Sequence, residues 1–306
     1  MGSSQDQLFI NRCVSAAALV LLYYDYALTL SDEIERFWVA KPKLTIASAL
    51  FYTNRYLSLF GHLPNLLEYF WTSSNPRRVT VCTNLVISHS YITVVIQVVV
   101  AALLFVRTRA LFARNRYVTS VLVVTAITVT FYGGWAVFSA PKRTYSPEDL
   151  LQNSCFLPLS KEIATRFANA WTAMVSFDGL VFGLTLFKAV TTKRTGSFSV
   201  LDIVMRDGSL YFGVIVGLCI SVIVSFYISP DYLRGLTATL TNILSSVMVS
   251  RLMLNLRELG STQATHAISN IAFQRSDETW NLTDPQSMLP TSAPSHSGSN
   301  PSERSF

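Results

Sequence analysis

Charge is scarce in this sequence. Only 14% of its 306 residues are Asp, Glu, Lys or Arg, where a soluble domain carries about 25%. The runs Val94–Val106, Val118–Val129 and Leu210–Val224 hold no charge at all. A soluble core helix needs a polar face, and these runs offer almost none, which excludes a soluble bundle. Histidine is rare too. Of the four, only His62 and His89 lie in or near the apolar stretches, whereas an intramembrane zinc hydrolase needs at least about three ligands. HExxH, GxSxG, a P-loop and paired CxxC are all missing, so no enzyme chemistry, metal or cofactor is expected. The last apolar stretch has no lysine, which excludes a retinal Schiff base there. Proline is missing from the stretch interiors; Pro42, Pro64, Pro141, Pro158 and Pro230 mark ends. Transporters often use Gly/Pro-broken helices at the midplane, so this weighs against one.

What is abundant is apolar length. Seven stretches, at roughly 8–30, 44–66, 79–106, 117–139, 165–188, 209–229 and 232–255, each approach or exceed the ~20 residues of a spanning helix. Lipid obliges each to satisfy its own backbone hydrogen bonds, which makes them helices. The expectation is an all-α polytopic membrane protein, a seven-helix domain over 1–257 and a tail over 258–306. The tail, rich in Ser, Thr, Pro, Gln and Asn, cannot bury enough apolar surface to order itself. The first stretch has no small-residue cleavage site and contains Tyr23, Tyr24 and Asp25. It reads as a retained span rather than a signal peptide. Met1-Gly2 opens like a myristoylation signal, but Asp6 stands where Ser or Thr is needed. Asn281-Leu282-Thr283 matches a glycosylation sequon, which a cytosolic tail would never present to the transferase.

Basic residues set the orientation. With the N-terminus outside, the inner loops and helix ends hold Arg36, Lys41, Lys43, Arg107, Arg109, Arg114, Arg116, Lys188, Lys193, Arg194, Arg206, Arg251 and Arg257. The outer side holds Arg12, Arg77, Arg78, Lys142, Arg143, Lys161, Arg166 and Arg234. The excess favours N-out, C-in, in the plasma membrane before other membranes. The net charge of +6 sits where headgroups would be. It suits lipid or an acidic cytosolic partner, not nucleic acid. Cys82 opens the third stretch at its outer end, and Cys155 lies in the next outer loop. They are either a disulfide or two free thiols. Residues 198–207 read either as an interfacial helix or as the cytosolic start of span six.

Three formal charges fall well inside the stretches: Asp25, Arg55 and Asp178. Each costs roughly 2.5–3.5 kcal/mol at the bilayer centre, so each should face the bundle interior or a wet cavity. Adjacent antiparallel helices would let Arg55 reach Asp25, directly or through water. That pair is either a functional centre or a pin that fixes helix register. Asp178 faces away from Asn169, Thr172 and Ser176, without a local partner, and is a candidate for ligand or proton contact. Polar stripes follow helical spacing: Ser48, Tyr52, Arg55 and His62; His89, Thr93 and Gln97; Thr239, Asn242, Ser246 and Ser250. They either line a cavity or make interhelical hydrogen bonds worth ~0.6–2 kcal/mol each.

Several segments carry a resemblance. Tyr24-Asp25-Tyr26-x-x-Thr29-Leu30, Glu33-Ile34-Glu35-x-x-Trp38 and Leu50-Phe51-x-x-Asn54-Arg55-Tyr56 resemble a short N-terminal domain of unknown function, placed here at 21–66. It occurs in uncharacterised seven-span membrane proteins expanded in basidiomycete fungi. Arg109–Asn115, Phe177–Lys188, Arg206–Phe212 and Ser250–Arg257 extend the likeness. It implies the fold and a membrane location and carries no activity. A receptor-like sensor of a small ligand is the first functional reading. A carrier or channel using Asp25, Arg55 and Asp178 is the second. No Asp-Arg-Tyr closes the third stretch and no Asn-Pro-x-x-Tyr occurs in the seventh, so G-protein coupling is not implied.

Overall fold

The computed structural model describes residues 4–39, 45–70, 78–139, 155, 159–193, 200–230 and 233–258. The tail and most of the loop at 140–164 lie outside them. Among the described residues all regular structure is helical. Helix α1 spans Ser4–Glu33 and runs on through a π-helical turn, Ile34–Val39. Then follow α2 Ile46–Gly61, α3 Leu63–Phe70, α4 Arg78–Leu111, α5 Arg116–Phe138, α6 Lys161–Lys193 and α7 Val200–Ile228. The last, α8, covers 236–258.

Four described helices are long and apolar enough to cross a bilayer: Gln5–Val39, Thr80–Leu111, Arg116–Ala136 and Lys161–Lys188. Gly213–Ile228 is a shorter apolar helix. The protein is therefore a helical membrane protein. The stretch expected at 44–66 is two helices, not one. Thr45 caps α2, its hydroxyl accepting from the Ser48 N–H at 3.2 Å. Pro64 lacks an N–H and clashes with the preceding turn. The helix accordingly ends at His62 and restarts with Pro64 in the first turn of α3, where proline is tolerated. Residues 200–207 are continuous with α7 as one helix, rather than a separate helix; 198 and 199 lie outside the described residues.

The helices differ in what they bury. In α5 only 6% of the span window is buried, and Val121, Val124, Ile127, Phe131 and Trp135 point outward. It is the outermost element, and that much exposed apolar surface fits lipid rather than water. The main apolar core joins α4, α6 and α7 through Ile96, Leu103, Leu104, Phe177, Val181, Ile215 and Val222. A second cluster, Ala18, Leu19, Leu22 and Ile243, seals α1 against α8. A third stacks Phe37 on Phe51 beside Leu254, the ring centroids 4.1 Å apart. Helices α2 and α4 approach closely at Gly61: a Cβ there would lie 2.7 Å from Ile92 Cγ2.

The polar residues are concentrated on α2, α3 and α8. Ser48, Asn54, Arg55, Ser58, His62, Asn65 and Glu68 are buried on one side; Thr239, Thr241, Asn242, Ser245, Ser246 and Ser250 on the other. Helices α2 and α3 are too short, at 16 and 8 residues, to cross a bilayer singly, and their polar faces are covered by α8 and α4.

Candidate functional site

The α2–α8 contact is an antiparallel seam of hydrogen bonds. At one end Arg257 donates to Ser48 Oγ (3.2 Å) and to the Arg36 carbonyl (2.9 Å), its guanidinium 3.8 Å above the Phe37 ring. About two turns along, Asn54 Nδ2 donates to Ser250 Oγ and the Ser246 carbonyl, both at 3.0 Å. Next, the Ser58 and Ser246 hydroxyls meet at 2.6 Å. Then His62 Nε2 faces Asn242 Oδ1 at 3.1 Å. Beyond the helix break, Glu68 binds His89 of α4 at 2.8 Å, and His89 reaches Thr239 at 3.3 Å. The α8 side, Thr239 to Arg257, covers about 27 Å at 1.5 Å per residue. That is close to the thickness of a hydrocarbon core. Small side chains at one-turn spacing (Ser58; Asn242, Ser246, Ser250) let the two backbones approach.

Beside this seam lie two charge pairs. Arg55 Nε sits 2.5 Å from Glu33 Oε2. Its Nη2 also donates to Thr29 Oγ1 (2.7 Å) and the Tyr26 carbonyl (3.3 Å), and the guanidinium lies 4.8 Å from the Tyr26 ring centre. Glu33 is completely buried and accepts further bonds from Tyr56 (3.0 Å) and Trp38 (3.3 Å). The four polar atoms that surround this guanidinium–carboxylate unit come from Tyr26 and Thr29 of α1, Trp38 of its π-helical turn and Tyr56 of α2. Such saturation is what a buried ion pair needs to offset its desolvation. Asp25 is held by Arg251, Nε to Oδ1 at 2.5 Å.

The direct Asp25–Arg55 pair expected from the sequence is therefore not made. Each charge has a different partner. The physical reason is reach: α1 does not stop near residue 30 but winds on to Val39. That brings Glu33 level with Arg55, while Asp25 faces α8. Asp25 and Arg55 still share a small cavity of about 10 Å³ with Tyr26, Ser58, Ser246 and Ser250, the room one water needs.

Asp178 is buried on α6, and its described neighbour is Cys219 of α7, Sγ to Oδ2 3.8 Å. It stands apart from the seam. Tyr52 donates to the Phe37 carbonyl (3.3 Å) and packs edge-on to Phe37 within the aromatic cluster. Gln97 is buried, its Nε2 without a protein partner. His62, His89 and Asn242 do come together, with Asn65, Glu68 and Thr93. Cys82 and Cys155 form a disulfide, Cα atoms 5.0 Å apart; both are fully buried. Among the described residues no cluster of three or more His, Cys, Asp or Glu could hold a metal ion.

Sequence reasoning missed Glu33, Glu68, Arg251 and Arg257. A signal for Glu33 existed: Asp25, Thr29 and Glu33 recur every four residues, on one helical face.

Residues 13–60 match a family of unknown function, DUF6533. The matched segment includes Asp25, Thr29, Glu33, Asn54, Arg55 and Ser58. No curated protein and no solved structure matches the chain.

Proposed function

We propose that this protein is a receptor-like sensor: a seven-helix bundle, N-terminus outside and C-terminus inside, in the plasma membrane. Under this reading α2 with α3, α7 and α8 cross as well, their interior polarity tolerated because it is paired. The disulfide supports the orientation, since Cys82 starts α4 and Cys155 pairs with it, and such bonds persist in oxidising compartments. So do the excess of Lys and Arg in the inner loops and the resemblance to seven-span fungal proteins. The reading assigns no enzymatic chemistry and no cofactor. A cytosolic partner of acidic character would meet the exposed Arg109, Arg114 and Arg116 around the α4–α5 turn.

One observation carries the choice of sensor over carrier. The interior charges Asp25 and Arg55 are closed on protein partners around a cavity of about 10 Å³, rather than lining an open route. Paired groups that tie α1 to α2 and α8 hold these helices together, and a ligand that bound better with the pairs exchanged would shift that contact. Asp178 supports the carrier instead: a buried carboxylate with a thiol, not a cation, beside it. The two readings separate in proteoliposomes. A sensor shows ligand-dependent thermal stabilisation in a small-molecule screen and no solute flux. Flux that Asp178→Asn abolishes would establish the carrier.

A further inference from the structure

The bundle contains two histidines one seam-step apart, and their hydrogen bonds make them chemically unlike. His62 is fully buried. Asn242 donates from Nδ2 to the Thr93 carbonyl at 3.1 Å, and a carbonyl can only accept. This turns Asn242 Oδ1 toward His62, so His62 Nε2 must carry hydrogen (3.1 Å). The other ring nitrogen, Nδ1, faces Asn65 Nδ2 at 3.3 Å and must accept. His62 is thus fully satisfied as the neutral Nε2–H tautomer. A second proton would set an N–H against that NH2 group, so Asn65 would have to turn its unpartnered Oδ1 toward the ring.

His89 has the opposite design. Its Nδ1 faces the Glu68 carboxylate at 2.8 Å, so Nδ1–H donates there in either protonation state. Its Nε2 faces the Thr239 hydroxyl at 3.3 Å, a group that both donates and accepts. Neutral His89 accepts from Thr239. Protonated His89 donates to it, and the threonine hydrogen then rotates to a carbonyl one turn back in α8, as helical threonines commonly do. No hydrogen bond is lost in either state. His89 also keeps 17% of its side-chain surface open, whereas His62 has none. The groups that face His89 are Glu68 from α3, the neutral Thr239 from α8 and, through space, His62 of α2, whose charge would oppose its own.

We propose that His89, seated on Glu68, is a proton-binding site of this bundle, and that Thr239 passes its protonation state to α8. The ligand is the proton itself. This deepens the sensor reading and rests on it for its purpose: in the N-out orientation the site lies in the outer half of α4, and protons arrive from outside.

The test is 15N NMR of histidine-labelled full-length protein in lipid nanodiscs, titrated over about pH 5–8, where histidines change charge. The expected result is that His89 titrates while His62 keeps the neutral Nε2–H signature throughout. Glu68→Gln should shift the His89 midpoint, and the Thr239 amide should follow that same midpoint in the natural chain but not in His89→Gln. Should His89→Gln fold poorly, Thr239→Val supplies the comparison: His89 still titrates and the α8 response is lost. The proposal is overturned if His62 titrates, if His89 does not, or if Thr239 is indifferent to pH. None of these outcomes bears on whether another ligand stabilises the bundle, so the sensor reading and the proton site fail separately.

Discussion

Glu33 and Arg55 form an ion pair with their side chains 0% and 4% exposed. One belongs to the end of α1 and the other to the middle of α2, so the pair fixes how these two helices meet. Thr29, Tyr26, Tyr56 and Trp38 complete its hydrogen bonds. The arrangement explains how two full charges persist in a chain otherwise stripped of them.

Breaking that pair on one side leaves an uncompensated buried charge. Arg55→Gln or Glu33→Gln alone should destabilise by about 3–5 kcal/mol, and the double substitution by less than the two singles together. Thermal unfolding in detergent measures this as a double-mutant cycle. The Asp25–Arg55 cycle should show much weaker coupling. Equal coupling in both cycles would put the charges in the wrong partnership. Asp25–Arg251 should contribute less than Glu33–Arg55, because 43% of the Arg251 side chain is exposed and solvent screens it.

Asn242 sits between His62 and the Thr93 carbonyl. Asn242→Leu should leave the buried His62 Nε2–H without a partner and cost about 1–3 kcal/mol. Thr237→Val, which removes a hydroxyl bonded to Ser225 at a longer 3.3 Å, should cost far less. Comparable losses in folded yield for the two variants would deny Asn242 its place at the seam.

Gly61 has no room for a side chain, with Ile92 Cγ2 2.7 Å from where a Cβ would sit. Gly61→Ala should destabilise by about 1–3 kcal/mol through overpacking. Adding Ile92→Ala should recover part of that loss in the same unfolding assay. No recovery would mean that the α2–α4 contact lies elsewhere.

The cysteines give a count. The chain has four; Cys82 and Cys155 are bonded, while Cys13 and Cys219 are free. Alkylation after denaturation without reductant should add two maleimides by mass, and after reduction four. Four adducts without reductant would remove the disulfide, and with it one support for the orientation.

Much of this was legible beforehand. Helices α4, α5 and α7 contain the charge-free runs, and α1 and α6 follow apolar stretches with one interior charge each, because lipid admits little else. The interior charges Asp25 and Arg55 stood out by rarity alone. The polar face of α8 showed in the four-residue recurrence Asn242, Ser246, Ser250. Pairing was not legible, since it depends on where helices end and how they rotate. Glu33 seemed a loop residue because the apolar run stops near residue 30, yet helical hydrogen bonding continues through Val39. Arg251 and Arg257 seemed headgroup charges because they follow an apolar run. In the structure Arg251 turns back to Asp25, and Arg257 to Ser48. Hydropathy likewise gave one stretch at 44–66 where Pro64 splits it at His62.

The most direct test of the seam is disulfide trapping between Ser58 and Ser246, whose hydroxyls stand 2.6 Å apart. Ser58→Cys and Ser246→Cys, introduced together and oxidised in native membranes, should yield a cross-linked peptide by mass spectrometry. The control pair Thr53→Cys with Ser246→Cys should not, because Thr53 is exposed on another face of α2. Absence of the 58–246 link, or equal linkage in the control, would contradict the antiparallel contact on which the account depends.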